Sequence, residues 1–112
     1  MTLRTMFGSY EDCFLTVNKY VADESPAIQI RNAEDGPIAT LTVCLDEKRF
    51  PLKPNEAYVD VNNLPEAMAF IREYGLGYDT GVNRQSGFSI YPLVAFDMDE
   101  VMKHVFAQEG VC

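Results

Sequence analysis

The sequence predicts an α+β fold: a mostly antiparallel sheet of about five to six strands with two helices packed on one face. Three observations carry that reading. Apolar residues alternate with period two through the first half, an Asp-Gly turn separates two such runs, and the second half holds two capped stretches with helical spacing. Residues 1–112 are expected to form a single α+β domain, since a chain of this length has room for one core.

The elements follow in order. Residues 3–7 are a candidate edge strand. Cys13, Leu15 and Val17 alternate with Phe14, Thr16 and Asn18, and the pattern fades into polar residues 23–25. Ile28 and Ile30 alternate with Gln29 and Arg31, and Asn32-Ala33-Glu34-Asp35-Gly36-Pro37 supplies the turn of a hairpin. Ala39, Leu41, Val43 and Leu45 then alternate with Thr40, Thr42 and Cys44, the cleanest strand pattern in the chain. Pro51 and Pro54 mark a connection, and residues 58–61 form a short strand.

The period then changes. Asn63 caps a helix, Glu66 completes a capping box three residues on, and Leu64, Ala67, Met68 and Ile71 share a face. Gly75 stops this helix, with Leu76 as the apolar contact that follows such a stop. Residues 75–87 read as a glycine-punctuated loop. Residues 88–96 read as the last strand, with Pro92 implying an edge or a bulge. Asp97 and Glu100 form the capping box of a final helix, in which Met98, Val101, Met102, Val105 and Phe106 follow a 3–4 spacing up to Gly110.

Composition limits the function classes. Seventeen acidic and nine basic residues give a formal charge of −8, which disfavours nucleic acid and anionic membranes as direct partners. No apolar run is long enough to span a bilayer, and residues 1–7 run into polar residues 8–12 rather than forming a leader, so the expected location is cytoplasmic. Three widely spaced cysteines (Cys13, Cys44 and Cys112) suit a reduced state, with Cys13 and Cys44 on strands and one of them buried. The acids form adjacent pairs at 11–12, 23–24, 34–35 and 46–47, the repeat of a strand plus its turn. A meander places the first and third pairs at one end of the sheet and the second and fourth at the other, which divides the acidic stripe a DNA mimic needs.

Catalytic chemistry has little material. His104 is the single histidine and is expected at the surface. Neither a Cys–His nucleophile nor a Cys₃His zinc site has the spacing that such sites use. Asp60, between Val59 and Val61, is the carboxylate singled out for its surroundings. The loop at 75–87 follows a helix and opens a strand, the reverse of a phosphate cradle, so neither a cofactor nor a metal is expected. That loop does carry Tyr78, Asn83, Arg84 and Gln85, the side-chain mixture that interfaces favour; with Tyr91 they are the candidate interaction surface.

From Tyr58 onward the chain resembles a family of short bacterial proteins classed as a domain of unknown function. The resemblance is carried by Asp60-Val61-Asn62-Asn63, Phe70-Ile71, Gly75-Leu76-Gly77, Thr80-Gly81, Ser86-Gly87-Phe88, Tyr91-Pro92-Leu93 and Phe96. It implies a cytosolic accessory protein encoded on conjugative and other mobile elements of Gram-positive anaerobes, and it carries over no catalytic or ligand residues. The expected function is a non-enzymatic accessory or regulatory domain that binds another protein. The alternatives are a nuclease-blocking inhibitor of host defence, and a small ligand-binding protein or enzyme with a pocket the sequence does not reveal. Oligomeric state is left open.

Overall fold

The computed structural model describes residues 1–45 and 52–105. Among them are nine strands in three antiparallel sheets, with two short helices. The first strands, β1 (Leu3–Thr5) and β2 (Gly8–Tyr10), form a ribbon of their own, so the expected edge strand at 3–7 turns back on itself after three residues. The second sheet is the predicted meander: β3 (Phe14–Lys19), β4 (Pro26–Asn32) and β5 (Gly36–Thr40). The third has the order β6-β7-β9-β8, from β6 (Thr42–Val43), β7 (Glu56–Val59), β8 (Gly77–Ser86) and β9 (Ser89–Phe96).

The single sheet expected from the sequence is therefore divided, and the division falls inside the cleanest strand pattern. At Leu41 the chain leaves β4 for β7. The Leu41 N–H donates to the Ile28 carbonyl at 2.8 Å, while its carbonyl accepts from Asp60 N–H at 3.0 Å. Period two runs undisturbed through this exchange because both segments are extended. Thr42, expected on the solvent side, is buried there, and its hydroxyl oxygen accepts the Ile28 N–H at 3.0 Å. The Tyr20 hydroxyl closes the corner by donating to the Thr42 carbonyl at 2.9 Å.

Helix α1 (Ala67–Glu73) begins three residues later than the cap at Asn63 would place it. Two causes are visible. Pro65 biases Leu64 away from helical geometry. Buried Asp60 takes the Asn63 N–H at 3.3 Å and the Asn63 side-chain amide at 2.9 Å, fixing a turn instead. Glu66 closes no capping box either; its carboxylate accepts the Met6 N–H at 3.1 Å. The far end follows the sequence: Gly75, at φ +63°, and Leu76 donate to the Arg72 and Ile71 carbonyls, the paired bonds of a Schellman stop.

Helix α2 (Met98–Lys103) has its expected cap, with the Asp97 carboxylate accepting Glu100 N–H at 3.2 Å. Val101 is its buried residue, whereas Met102, expected on the apolar face, is exposed. The predicted continuation to Gly110 lies outside the described residues. The two helices do not share one sheet face: α1 lies against β8, and α2 lies against β3, where Leu15 N–H donates to the His104 carbonyl.

One core joins these parts. Leu3 from the ribbon, Leu15, Ile28 and Ile30 from the meander, Phe70 and Ile71 from α1, Val94 and Phe96 from β9, and Val101 from α2 pack in one buried cluster. Each fully buried aliphatic side chain contributes roughly 1.5–3 kcal/mol relative to exposure.

Candidate functional site

Residues 75–87 are not a loop. Beyond Gly75 and Leu76 they form β8, ten residues long and paired with β9 through a two-residue turn at Gly87 and Phe88. Gly87 has φ +63° and sits first in the turn, as a tight hairpin of this kind requires. The alternation that would announce β8 is hidden for two reasons. It is an edge strand with most residues solvated, and its register shifts between Asp79 and Asn83. Across that bulge the Thr80 hydroxyl donates to the Leu93 carbonyl at 2.8 Å, and Asp79 Oδ1 accepts the Gly81 N–H at 2.8 Å.

The bulge also explains Pro92. It lies on an internal strand rather than at an edge, but beyond the stretch of β9 that pairs with β7, opposite Asn83 where the shifted register resumes. The bulge is the half of the sequence expectation that the structure bears out.

Pairing sorts the candidate residues onto two faces. Tyr78 lies opposite Ala95 and Arg84 opposite Tyr91, and alternation along β9 puts 91, 93 and 95 on one face. Tyr78, Arg84 and Tyr91 therefore share a face, whereas Asn83 and Gln85, opposite Pro92 and Ile90, belong to the other. Tyr78 is 70% exposed; Arg84 and Tyr91 are half-buried. Val82, Phe88 and Ile90 also stand exposed on this hairpin and escaped sequence reasoning. The signal for Phe88 was its place directly after Gly87, which only the two-residue turn makes meaningful.

The other candidates resolve differently. Cys13 is buried and donates its thiol to the Tyr10 carbonyl at 3.2 Å, and burial pushes its pKa up, away from thiolate chemistry. His104, expected at the surface, is half-buried, with Nε2 3.2 Å from Glu100 Oε2 and its ring edge-on to Tyr74. These partners occupy both members of the Cys–His pair. Neither Cys13 nor Cys44 is in a disulfide, and Cys112 lies outside the described residues. Among the described residues no group of three or more His, Cys, Asp and Glu is placed to hold a metal ion. Asp60 holds the turn before α1.

The first and third acid pairs do meet. Glu11, Asp12, Glu34 and Asp35 line a cleft of about 410 Å³, closed by the Asn32 side chain, which donates to the Glu11 carbonyl and to Asp35. Asp23 and Glu24 lie beyond the β3 end that pairs with Pro26, at the opposite end of the meander. The pair at 46–47 falls outside the described residues. No helix among the described residues is long and apolar enough to cross a membrane.

These features define a small α+β protein built on antiparallel strands, with four of the eight large apolar side chains exposed among the described residues on the β8–β9 hairpin. The chain belongs to the DUF4313 family, a domain of unknown function whose model matches residues 14–111. The match takes in every element from β3 onward and leaves the β1–β2 ribbon outside. No curated protein and no solved structure matches the chain.

Proposed function

We propose that this protein is a non-enzymatic, protein-binding accessory domain, and that the side chains of the β8–β9 hairpin make the contact. One observation carries the reading. Half of the large apolar side chains exposed among the described residues (Tyr78, Val82, Phe88 and Ile90) stand on this one hairpin. Singly scattered apolar groups are ordinary on a surface, whereas these four are concentrated on one element, with Tyr78 on one face and Ile90 on the other. Aromatic and Arg side chains such as Tyr78, Tyr91 and Arg84 are the types that interfaces concentrate.

The contact runs through side chains rather than through strand addition. The bulge at 80–82 breaks the outer edge of β8, and Asp79 and Arg84 flank it, the devices that keep a sheet edge from pairing with another chain. An accessory or regulatory role on mobile DNA completes the proposal and rests on the family resemblance. The reading requires no cofactor and no direct contact with nucleic acid or membrane. A nuclease-blocking role needs one continuous acidic stripe, and the separation of the pair at 11–12 from that at 23–24 does not favour it.

The test is affinity capture from the native host with the wild type and with a Tyr78→Ala/Phe88→Ser variant, followed by mass spectrometry. Specific partners should be lost from the variant while its melting temperature stays unchanged. Equal recovery of the same partners by both proteins refutes the hairpin as the contact.

A further inference from the structure

A second surface, independent of the hairpin, combines two chemistries. On one side lies a groove of about 330 Å³ between the β1–β2 ribbon and the turn before α1, walled by Met6, Phe7, Ile38, Leu64 and Pro65. On the other lies the acidic cleft of Glu11, Asp12, Glu34 and Asp35. Tyr10 lines both, so the two concavities adjoin at that residue.

The apolar rim is held in place. Phe7 is 90% exposed, yet its N–H donates to the Thr5 hydroxyl oxygen at 3.1 Å, that hydroxyl donates to the Gly8 carbonyl at 3.0 Å, and Met6 N–H is fixed by Glu66. A prearranged apolar turn loses less entropy on binding than a loose one. The acidic half has no Lys or Arg in its lining. Arg31 is turned to Gln29 Oε1 at 3.0 Å, and the N-terminal ammonium donates to the Cys13 carbonyl at 3.1 Å. Four exposed carboxylates on a chain of charge −8 complement a cationic ligand and repel an anionic one.

We infer that this joint surface docks an extended peptide segment of a partner protein, with a large apolar side chain in the groove and adjacent Lys or Arg residues over the acidic cleft. The proposal goes beyond the hairpin contact and stands whether or not that contact is made. Of the apolar wall, Met6 and Phe7 lie outside the family match while Ile38, Leu64 and Pro65 lie within it, so the groove joins the N-terminal ribbon to the family's own fold.

A display library of random peptides, selected on the full-length protein, tests it. Enriched peptides should place an aliphatic or aromatic residue beside two or more basic ones, and their binding should weaken with salt. Measured by fluorescence anisotropy with one enriched peptide, Glu11→Lys/Glu34→Lys and Phe7→Ser should each weaken binding by about tenfold or more. Phe88→Ser should leave it unchanged, and all variants should keep the wild-type melting temperature. Three outcomes overturn the inference: no enrichment, enriched peptides without the apolar-basic pattern, or binding lost in Phe88→Ser while both groove and cleft variants retain it.

Discussion

Two hairpins project from the same core, and they are fastened to it by different means. The β8–β9 hairpin continues a sheet: β9 pairs with β7 over Glu56, Ala57 and Tyr58, so a backbone ladder anchors its proximal half. Among the described residues the β1–β2 ribbon belongs to no larger sheet. Leu3 plugs it into the core, and side chains strap it to α1: Tyr74 OH lies 2.7 Å from Thr2 N and 3.2 Å from Thr2 O, and Arg4 meets both Glu73 oxygens at 2.9 and 3.2 Å. A ladder fails with the whole fold, whereas a strap can open locally. The ribbon should therefore exchange its amides by local opening, and the proximal part of β8 only with global unfolding.

The largest effect is expected where the ladder is tightest. A Cβ at Gly77 would stand 2.6 Å from the Ala95 carbonyl oxygen and 2.9 Å from Phe96 Cα, both backbone atoms that cannot swing aside. Gly77→Ala should cost about 3 kcal/mol, read as a lower denaturant midpoint. A change within about 0.5 kcal/mol would show that β8 does not approach β9 this closely.

Next comes the plug. Leu3→Ala removes a side chain that is 1% exposed and should cost about 2–3 kcal/mol. The comparison is sharpened by hydrogen exchange on the same variant. Amides of Thr5 and Tyr10 should lose protection more than those of Tyr78 and Ala95. Uniform loss over both hairpins would mean that the ribbon is as integral to the fold as the sheet.

The straps come third. Tyr74 is a junction: its ring meets Phe70 edge-on at 5.1 Å and His104 at 6.2 Å, while its hydroxyl holds Thr2. Tyr74→Phe keeps the ring contacts and removes the hydroxyl, at a cost of about 1 kcal/mol confined to the ribbon. Arg4→Ala should cost less, since both partners of that ion pair are well exposed. An Arg4→Ala effect exceeding that of Tyr74→Phe would reverse this ranking.

The same contrast explains what the sequence disclosed. Features fixed by neighbours in the chain were legible: the Asp97 cap, the stop at Gly75, the turn at Asp35-Gly36 and the strands around it. Features fixed by distant contacts were not. Asn63 has a capping residue's chemistry, but Asp60 claims it, and the carboxylate of Glu66 is taken by Met6, sixty residues away. The exchange of sheets at Leu41 leaves no trace in a period-two pattern, because the partner changes and the backbone does not. Of the candidate surface, Tyr78, Arg84 and Tyr91 do share a face. Asn83 and Gln85 fall on the other, since residue type says nothing about register across a bulge.

The smallest effect is absent at neutral pH and emerges in alkali, where Cys13 links the ribbon to β3. Met1 and Cys13 exchange backbone hydrogen bonds at 3.1 and 2.7 Å, which seals the thiol beneath the ribbon's end. Burial is the main cause that raises its pKa above the ordinary 9.0; Asp12 and Asp35 add to it, while a backbone N–H and the N-terminal ammonium oppose it. Well below pH 9 the thiol is protonated in folded and unfolded chains alike, so this group makes stability independent of pH there. Above that value the unfolded chain releases its proton while the folded one retains it. The folded state then binds more protons, and stability falls as pH rises. Tyr20, raised above 10.0 chiefly by burial at the Thr42 corner, adds a second loss of the same sign at higher pH. Denaturant midpoints between about pH 8 and 11 should thus decline in the wild type, more shallowly at first in Cys13→Ala, and with a weaker late phase in Tyr20→Phe. If Cys13→Ala declines as steeply as the wild type, the ribbon does not keep that thiol from water, and the strap has already opened in the native state.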